Sequence, residues 1–280
     1  MSTLATEALR ARSLLRTVLG KTIREQRRAL MWWGIGLFAS GATYAPFYPS
    51  IKDNAETLQK YMDTMPEFLR EAFMGSSGDF TSPAGYLNTE LFNFFAPLLM
   101  LLFAIGAGAR AIAGEEEKQT LDVLLSMPIA RRRVVIDKFG AMLIAGVLLS
   151  ALLWLSIPVL GPPYDLNPGL WDLTAAVAMC FQLAMAFGAI ALAIGAATGR
   201  RALAVGVTAG IAGGSYLLDL LVPTIHSIEW LQLLSPFHYY LGAEPMMRGL
   251  DVSSSLVLAG IAAVAFGAAL VLFERRDLAA

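Results

Sequence analysis

Apolar runs long enough to cross a membrane alternate with polar segments along most of this 280-residue chain. There are six such runs, at about residues 29–49, 92–113, 137–160, 172–197, 202–222 and 254–273. A membrane-crossing helix needs about 20 mostly apolar residues, so each run predicts one span. The predicted fold class is therefore an all-α membrane protein with six transmembrane helices.

Composition supports a single membrane domain. Apolar residues make up 56 % of the chain and charged residues only 15 %, whereas soluble domains carry about 25 % charged residues. We divide the chain into a polar N-terminal segment, residues 1–28, and a membrane domain, residues 29–280. Cys180 is the one cysteine, which excludes an internal disulfide, and the net charge of −1 gives no reason to expect a nucleic-acid partner.

Basic residues are concentrated in alternate connections between the predicted spans. The basic segments are residues 1–28, the stretch 114–136, the turn at 200–201 and the tail at 275–276. The segments poor in basic residues are the loops 50–91, 161–171 and 223–253. Because cytoplasmic loops carry excess Lys and Arg, this alternation predicts a multi-pass cell-membrane protein with both termini in the cytoplasm.

Two segments outside the spans have amphipathic helical spacing. In the cytoplasmic segment 1–28, apolar residues share one face and basic residues occupy the others, which is typical of a helix lying in the membrane interface. A simple juxtamembrane anchor explains this pattern as well as a functional helix does. The outer loop 50–91 predicts short surface helices, and a folded loop without a ligand role is favoured there over a substrate cap.

Motifs for catalysis or cofactor binding are scarce. The run "LGKT" at 19–22 resembles the end of a phosphate-binding loop, but Leu15 stands where that loop needs glycine. His226 and His238 are the only histidines, and two ligands without a third do not favour a metal site. We therefore expect a chain that is not an enzyme and binds no cofactor or metal itself.

Polar and small residues within the spans suggest two further features. Asp219 is a charge near the outer end of the fifth predicted span, where it is either functional or simply wetted at the interface. Gly206, Gly210 and Gly214 form successive GxxxG steps that would allow another helix to approach closely.

The charged stretch between the second and third predicted spans has its own helical pattern. Leu121, Leu124 and Leu125 share one helical face, and Pro128 ends the pattern. An exposed leucine face on a short cytoplasmic helix favours docking into a groove of a partner protein. The alternative is a helix lying flat on the lipid.

This stretch resembles the signature of the membrane subunits of type-2 ABC exporters. The residues that carry the resemblance are Glu115, Glu116, Glu117, Lys118, Thr120, Leu121, Leu124, Leu125, Ser126, Pro128 and Arg131 to Arg133. A Ser-Pro-Phe element at Ser235 is similar to one that family members carry in short outer helices before the last span.

The resemblance implies a mechanism. The stretch 114–136 would contain a coupling helix that docks on a separate ABC ATP-binding subunit, where ATP and Mg²⁺ would bind. The N-terminal segment would be an elbow helix, and the substrate pathway would form with a second copy or a paralogue. The competing hypotheses are a membrane anchor or assembly protein without transport and, less favoured, an intramembrane enzyme.

Overall fold

The computed structural model describes residues 18–64, 80–120, 130–221 and 226–276, and within these ranges the chain is helical with no β-strand. The six long helices are labelled in chain order: α1 Val18–Tyr44, α2 Pro83–Ala111, α3 Arg131–Leu160, α4 Leu170–Thr198, α5 Arg201–Leu221 and α6 Val252–Arg275.

Short helices fill the connections. Helix α2 contains a π-helical turn, Asn88–Phe92, between Pro83–Leu87 and the α-helix Phe95–Ala111. The short elements between the long helices are the helices Tyr48–Asp53, Ala55–Asp63, Ala113–Glu117, Pro236–Leu241 and Pro245–Arg248 and the 3-10 turns Ala45–Phe47, Pro162–Tyr164 and His226–Leu234.

Five of the long helices, α2 to α6, are long and apolar enough to cross a membrane, against six predicted spans. The exception is α1, which corresponds to the predicted span 29–49. Its helix ends at Tyr44, and a 3-10 turn containing Pro46 follows, so the apolar part is shorter than predicted. The first half of α1 is polar and runs into the apolar half without a break. The structure thus describes no separate elbow helix in residues 18–28.

Helix α2 begins earlier than the predicted boundary at residue 92. Ser82 caps it, because the Ser82 hydroxyl oxygen accepts a hydrogen bond from the Gly85 N–H at 3.1 Å, and Pro83 occupies the first turn. The last part of the predicted outer loop is therefore the first turns of this helix.

Helix α4 forms the centre of the bundle and contacts α2, α3, α5 and α6. The share of its apolar stretch that is buried is 72 %, against 22 % for α5 and 17 % for α6. Its tightest contact is with α2, where a Cβ atom on Gly108 would collide with the backbone carbonyl of Gly188. Glycine at this crossing allows the two backbones to touch, as is common between membrane helices.

The two ends of the bundle differ in composition. We call the end at which Arg110, Arg131, Arg201 and Arg276 lie the basic end, and the other the opposite end. At the opposite end, the helix Pro236–Leu241 enters the bundle, and Phe237 contacts Phe187, well inside α4, with 5.9 Å between ring centroids.

Candidate functional site at the basic end

Five of the predicted docking residues lie in the described part of the chain: Glu115, Glu116, Glu117, Thr120 and Arg131. Leu121, Leu124, Leu125 and Pro128 fall outside the described residues, so their role as a docking surface stays a prediction. What the structure describes is how the two flanks of that segment are held.

Glu115 faces the interior of the bundle. Its carboxylate accepts a hydrogen bond from the Lys138 ammonium group of α3 at 2.5 Å, and both side chains are buried. The Thr120 hydroxyl donates to the same carboxylate at 2.6 Å. A buried ion pair of this kind holds its partners firmly, because separating them would leave a charge without compensation.

Glu116 binds the end of the last helix. Its two carboxylate oxygens accept hydrogen bonds from the Arg276 guanidinium at 2.8 and 2.6 Å, a bidentate pair. Arg131, at the start of α3, donates to the Arg276 backbone carbonyl at 2.8 Å. Gly199 passes beside this pair with φ of +65°, and a side chain there would collide with both charged groups.

Glu117 contacts a third helix. Its carboxylate accepts a hydrogen bond at 3.1 Å from the Arg201 backbone N–H, the first residue of α5. An acidic group at a helix N-terminus satisfies a free N–H group and complements the helix dipole. Glu115, Glu116 and Glu117 therefore bind α3, the end of α6 and α5 respectively, and we call these three residues the acidic clamp.

Two further ion pairs lie beside the acidic clamp. Arg132 pairs with Glu274 of α6, and Arg133 pairs with Asp137 one turn later in α3 at 2.9 Å. The first of these links α3 to α6 a second time. Because Arg132 is largely exposed, this link contributes less than the buried Glu115–Lys138 pair.

Arg110, Lys138 and Arg276 were missed as candidate residues in the sequence. Arg110 is a cation within the predicted span 92–113, and a charge at membrane depth is a signal that sequence inspection can find. Lys138 is also a cation, at the edge of the predicted span 137–160, whereas Arg276 carries no such signal, because its importance comes only from the glutamate it meets.

The glycines of α5 do not pack against any other helix that the structure describes. In the described part of the chain no atom lies within 4 Å of the position that a Cβ on Gly206, Gly210 or Gly214 would take. The close intrachain packing occurs instead at Gly108 and Gly188. The glycine face of α5 is open on the surface of the chain.

Asp219 has a partner at the opposite end. Its carboxylate lies 3.5 Å from Nδ1 of His238, and its side chain is 12 % exposed. Ser235, which begins the same short helix as His238, donates a hydrogen bond from its hydroxyl to the Ser215 carbonyl of α5 at 2.9 Å. The Asp219 side chain is thus less exposed to solvent than it would be at a hydrated interface, which was one of the two alternatives left open by the sequence. The side chain of His226 is not among those that the structure describes.

The helix Pro236–Leu241 is also tied to α2. The Tyr240 hydroxyl donates to the Phe92 carbonyl at 2.8 Å. Burial, followed by the neighbouring Cys180, raises the pKa of the Tyr240 phenol well above its ordinary value, so it remains a neutral donor. A pocket of about 540 Å³ lies beside this helix and is lined in part by His238, Arg248 and Asp251.

The apolar helices, their charged ends and the polar contacts between helix ends define a multi-pass α-helical membrane protein. A family model described as "ABC-2 family transporter protein" matches residues 16–278, almost the whole sequence. The chain belongs to this family, which confirms the resemblance stated above. No curated protein matches the chain.

Membership of this family indicates the general role of the chain. The chain is a membrane permease subunit of an ABC transporter, a transport component whose family implies an ABC ATP-binding partner and a membrane setting. The acidic clamp lies on the flank of the segment in which the sequence signature of the family was found.

Proposed function

We propose that this chain is the permease of an ATP-driven exporter and that its basic end faces the cytoplasm. A separate ABC subunit binds ATP and Mg²⁺ and docks on the segment between α2 and α3. The observation that carries the proposal is the acidic clamp. It joins the start of that segment to three helices, so a displacement of the segment would move α3, α5 and α6 together.

The orientation in the cell membrane is supported by charge. The basic end holds the start of α3, the α4–α5 turn and the end of α6, each rich in arginine. Excess Lys and Arg stays on the cytoplasmic side during insertion. Both termini therefore lie in the cytoplasm, and the pair of short helices before α6 lies outside.

Helix α1 serves as the sixth span in this proposal. Gly34 and Gly41 face Leu152 and Ser156 of α3, in the same order along both helices. On its other side, Trp33 contacts Phe103 and Tyr44 contacts Phe95, in the reverse order along α2. Helix α1 therefore runs beside two spans across much of the same thickness. Its exposed apolar side chains, such as Trp32, suit contact with lipid.

A second copy or a paralogue completes the pathway. The support is the open face of α5, where Gly206, Gly210 and Gly214 leave space for a partner helix. Exposed apolar residues such as Val207 and Ile211 flank these glycines. Such a surface suits a second permease in the bilayer, and the pathway would lie between the two copies.

The docking assignment is tested with a variant carrying both Leu124→Asp and Leu125→Asp. Two carboxylates on the apolar face should prevent insertion into a groove of the ATPase, because burying unpaired charge costs several kcal/mol. We expect normal membrane insertion and a loss of co-purification with the ATP-binding subunit.

Lys118→Gln is the matched control, since it changes an exposed charge in the same segment. It should retain co-purification and stimulated ATP hydrolysis. If the Leu124/Leu125 variant retained both, the docking assignment would be wrong. If wild-type chain and ATPase bound each other without any substrate transport, the anchor or assembly hypothesis would replace the permease.

A further inference from the structure

Helix α2 exposes a single apolar ridge that ends in a cation. Phe94, Leu98, Leu102, Gly106 and Arg110 follow one another at intervals of four residues, so they form one ridge that winds slowly around the helix. The first four are apolar, and Phe94 and Leu102 are more than half exposed. We call these five residues the α2 ridge.

Helix α5 runs antiparallel beside the α2 ridge. Near the opposite end, the ring of Phe94 contacts that of Tyr216 with 5.8 Å between centroids. At the basic end, Glu117, in the short helix that directly follows α2, accepts a hydrogen bond from the Arg201 backbone N–H at 3.1 Å, which brings the start of α5 beside Arg110. The two contacts lie almost one helix length apart. The line along which α2 and α5 meet, which we call the seam, therefore extends across the apolar thickness of the bundle and has arginines at its basic end.

Arg110 has no counter-ion in the described part of the chain. It makes no hydrogen bond or ion pair there, although three glutamates follow within a few residues. Each of those glutamates already binds another group, namely Lys138, Arg276 or the Arg201 N–H. The charge that faces it from the start of α5 is Arg201, which has the same sign.

The position of Arg110 makes this isolation costly. The side chain is half-buried, and its guanidinium folds back along the helix over Gly106, where the absence of a side chain leaves room. A cation near the apolar part of a membrane protein is unfavourable unless it is paired or hydrated. Two neighbouring guanidinium groups without an acid between them attract an anion, and phosphate and carboxylate fit their geometry best.

We propose that Arg110 and Arg201 form an anion-binding site at the basic end of this seam. Its ligand is an amphiphile whose phosphate or carboxylate group binds the two guanidinium groups, while its apolar chain lies along Leu98 and Leu102. Only the further step, that this amphiphile is the transported substrate, rests on the proposed function.

The site is tested by lipid binding to the full-length chain, without an ATPase subunit. The protein is reconstituted in phosphatidylcholine nanodiscs that contain a minor fraction of spin-labelled phosphatidylglycerol, and the motionally restricted lipid is measured. Arg110→Gln should weaken the preference for phosphatidylglycerol about fivefold, the usual effect of one basic residue at an anionic surface. Arg110→Lys, which keeps the charge, should retain most of it.

Arg132→Gln is the matched control, because it removes an exposed arginine at the same end that already has an acidic partner. It should leave the lipid preference unchanged. Equal preference in wild type, Arg110→Gln and Arg132→Gln would overturn the site. Thermal unfolding of each variant shows whether it is folded. If Arg110→Gln is unstable, Arg201→Gln, which removes the other guanidinium group of the site, should also weaken the preference, and an unchanged preference there would overturn the site.

Inorganic phosphate distinguishes the two sources of the anion. If phosphate displaces the labelled lipid from wild type, the site accepts a free anion, and if it does not, the apolar chain is needed for binding. Either pattern supports the anion site provided that Arg110→Gln weakens the specific binding about fivefold, as expected. Because the assay contains no ATPase, its failure is separate from a failure of the Leu124/Leu125 docking test.

Discussion

The two ends of the helix bundle are held together by different forces. At the basic end, carboxylates and cations from the ends of four helices meet in discrete pairs, such as Glu115 with Lys138 and Glu116 with Arg276. At the opposite end, aromatic rings and hydroxyl-to-carbonyl hydrogen bonds hold the short helices, as at Phe237 and Tyr240. Each ion pair links two helix ends at one point, whereas packed aromatic rings hold two helices together over a larger apolar surface.

This difference has a functional meaning for a permease. A few strong links at the basic end allow a displacement of the α2–α3 connection to reach several helices at once. Packed aromatic groups at the opposite end are less easily separated, because interiors are close-packed and resist partial rearrangement. We therefore expect charge substitutions to matter most at the basic end.

The largest expected effect is at the buried pair of Glu115 and Lys138. Glu115→Leu leaves the Lys138 ammonium, 5 % exposed, without its counter-ion. The expected loss of unfolding free energy is about 3 kcal/mol. Unfolding in mixed micelles with increasing SDS fraction measures it.

The double variant Glu115→Leu with Lys138→Met tests the cause. It removes both charges and should recover most of the lost stability, because no unpaired charge remains. Lys118→Gln, an exposed change nearby, should stay within about 0.5 kcal/mol of wild type. Equal losses in the single and double Glu115 variants would show that the pair is not what stabilises this end.

A smaller effect is expected at the charged pair of the opposite end. Asp219→Asn removes the charge facing His238, whose side chain is 34 % exposed, so solvent can compensate part of the loss. We expect a decrease of about 1 kcal/mol in the same unfolding assay. A loss as large as that of Glu115→Leu would contradict the contrast between the two ends.

His238→Gln is the matched variant, since it removes the other member of the pair and should have a similar effect. Transport by Asp219→Asn measured over a pH series adds a functional readout. Unchanged stability together with unchanged transport at every pH would leave Asp219 without a role of its own.

The smallest effect concerns Asp251, which caps α6 at the opposite end. Hydrogen bonds from Ser254 and Ser253 lower the pKa of its carboxyl group to about 2. A carboxyl with a lowered pKa stabilises the folded state above its unfolded pKa, about 3.9 for Asp, and loses this effect as the pH falls through its folded pKa.

Thermal unfolding between about pH 5 and pH 2 compares wild type with Asp251→Asn, whose side chain also caps helices but does not titrate. The wild type should lose stability relative to this variant as the pH falls through that window. Parallel curves for the two proteins would contradict the assigned cap.

Much of the helical architecture could be predicted from hydropathy. The predicted spans at 137–160 and 172–197 lie within α3 and α4, and the basic separator at Arg200 is the α4–α5 turn. The first span was less predictable, because hydropathy does not register that the helix ends at Tyr44 before Pro46. The early start of α2 depends on the Ser82 cap, a local signal that the long apolar run obscured.

The candidate site was less accessible to prediction. The sequence shows the three glutamates as a charged segment that leaves the membrane, and it shows their resemblance to a family signature. It does not show which residues they bind. The glycine face of α5 was assigned to close packing, yet GxxxG spacing alone does not distinguish an intrachain contact from an open surface. Gly108 and Gly188, at the tightest helix contact, have no comparable spacing.

The sequence by itself determined that this is a helical membrane protein, how long most of its helices are and which end is basic. These properties follow from local hydrophobicity, helix rise and the positions of Lys and Arg. Only the tertiary structure decided that Glu116 meets Arg276, 160 residues away, and that Arg110 meets no acid among the residues that the structure describes. Such contacts depend on how the helices are arranged around α4, because a side chain's partner is chosen by distance in space and not along the chain.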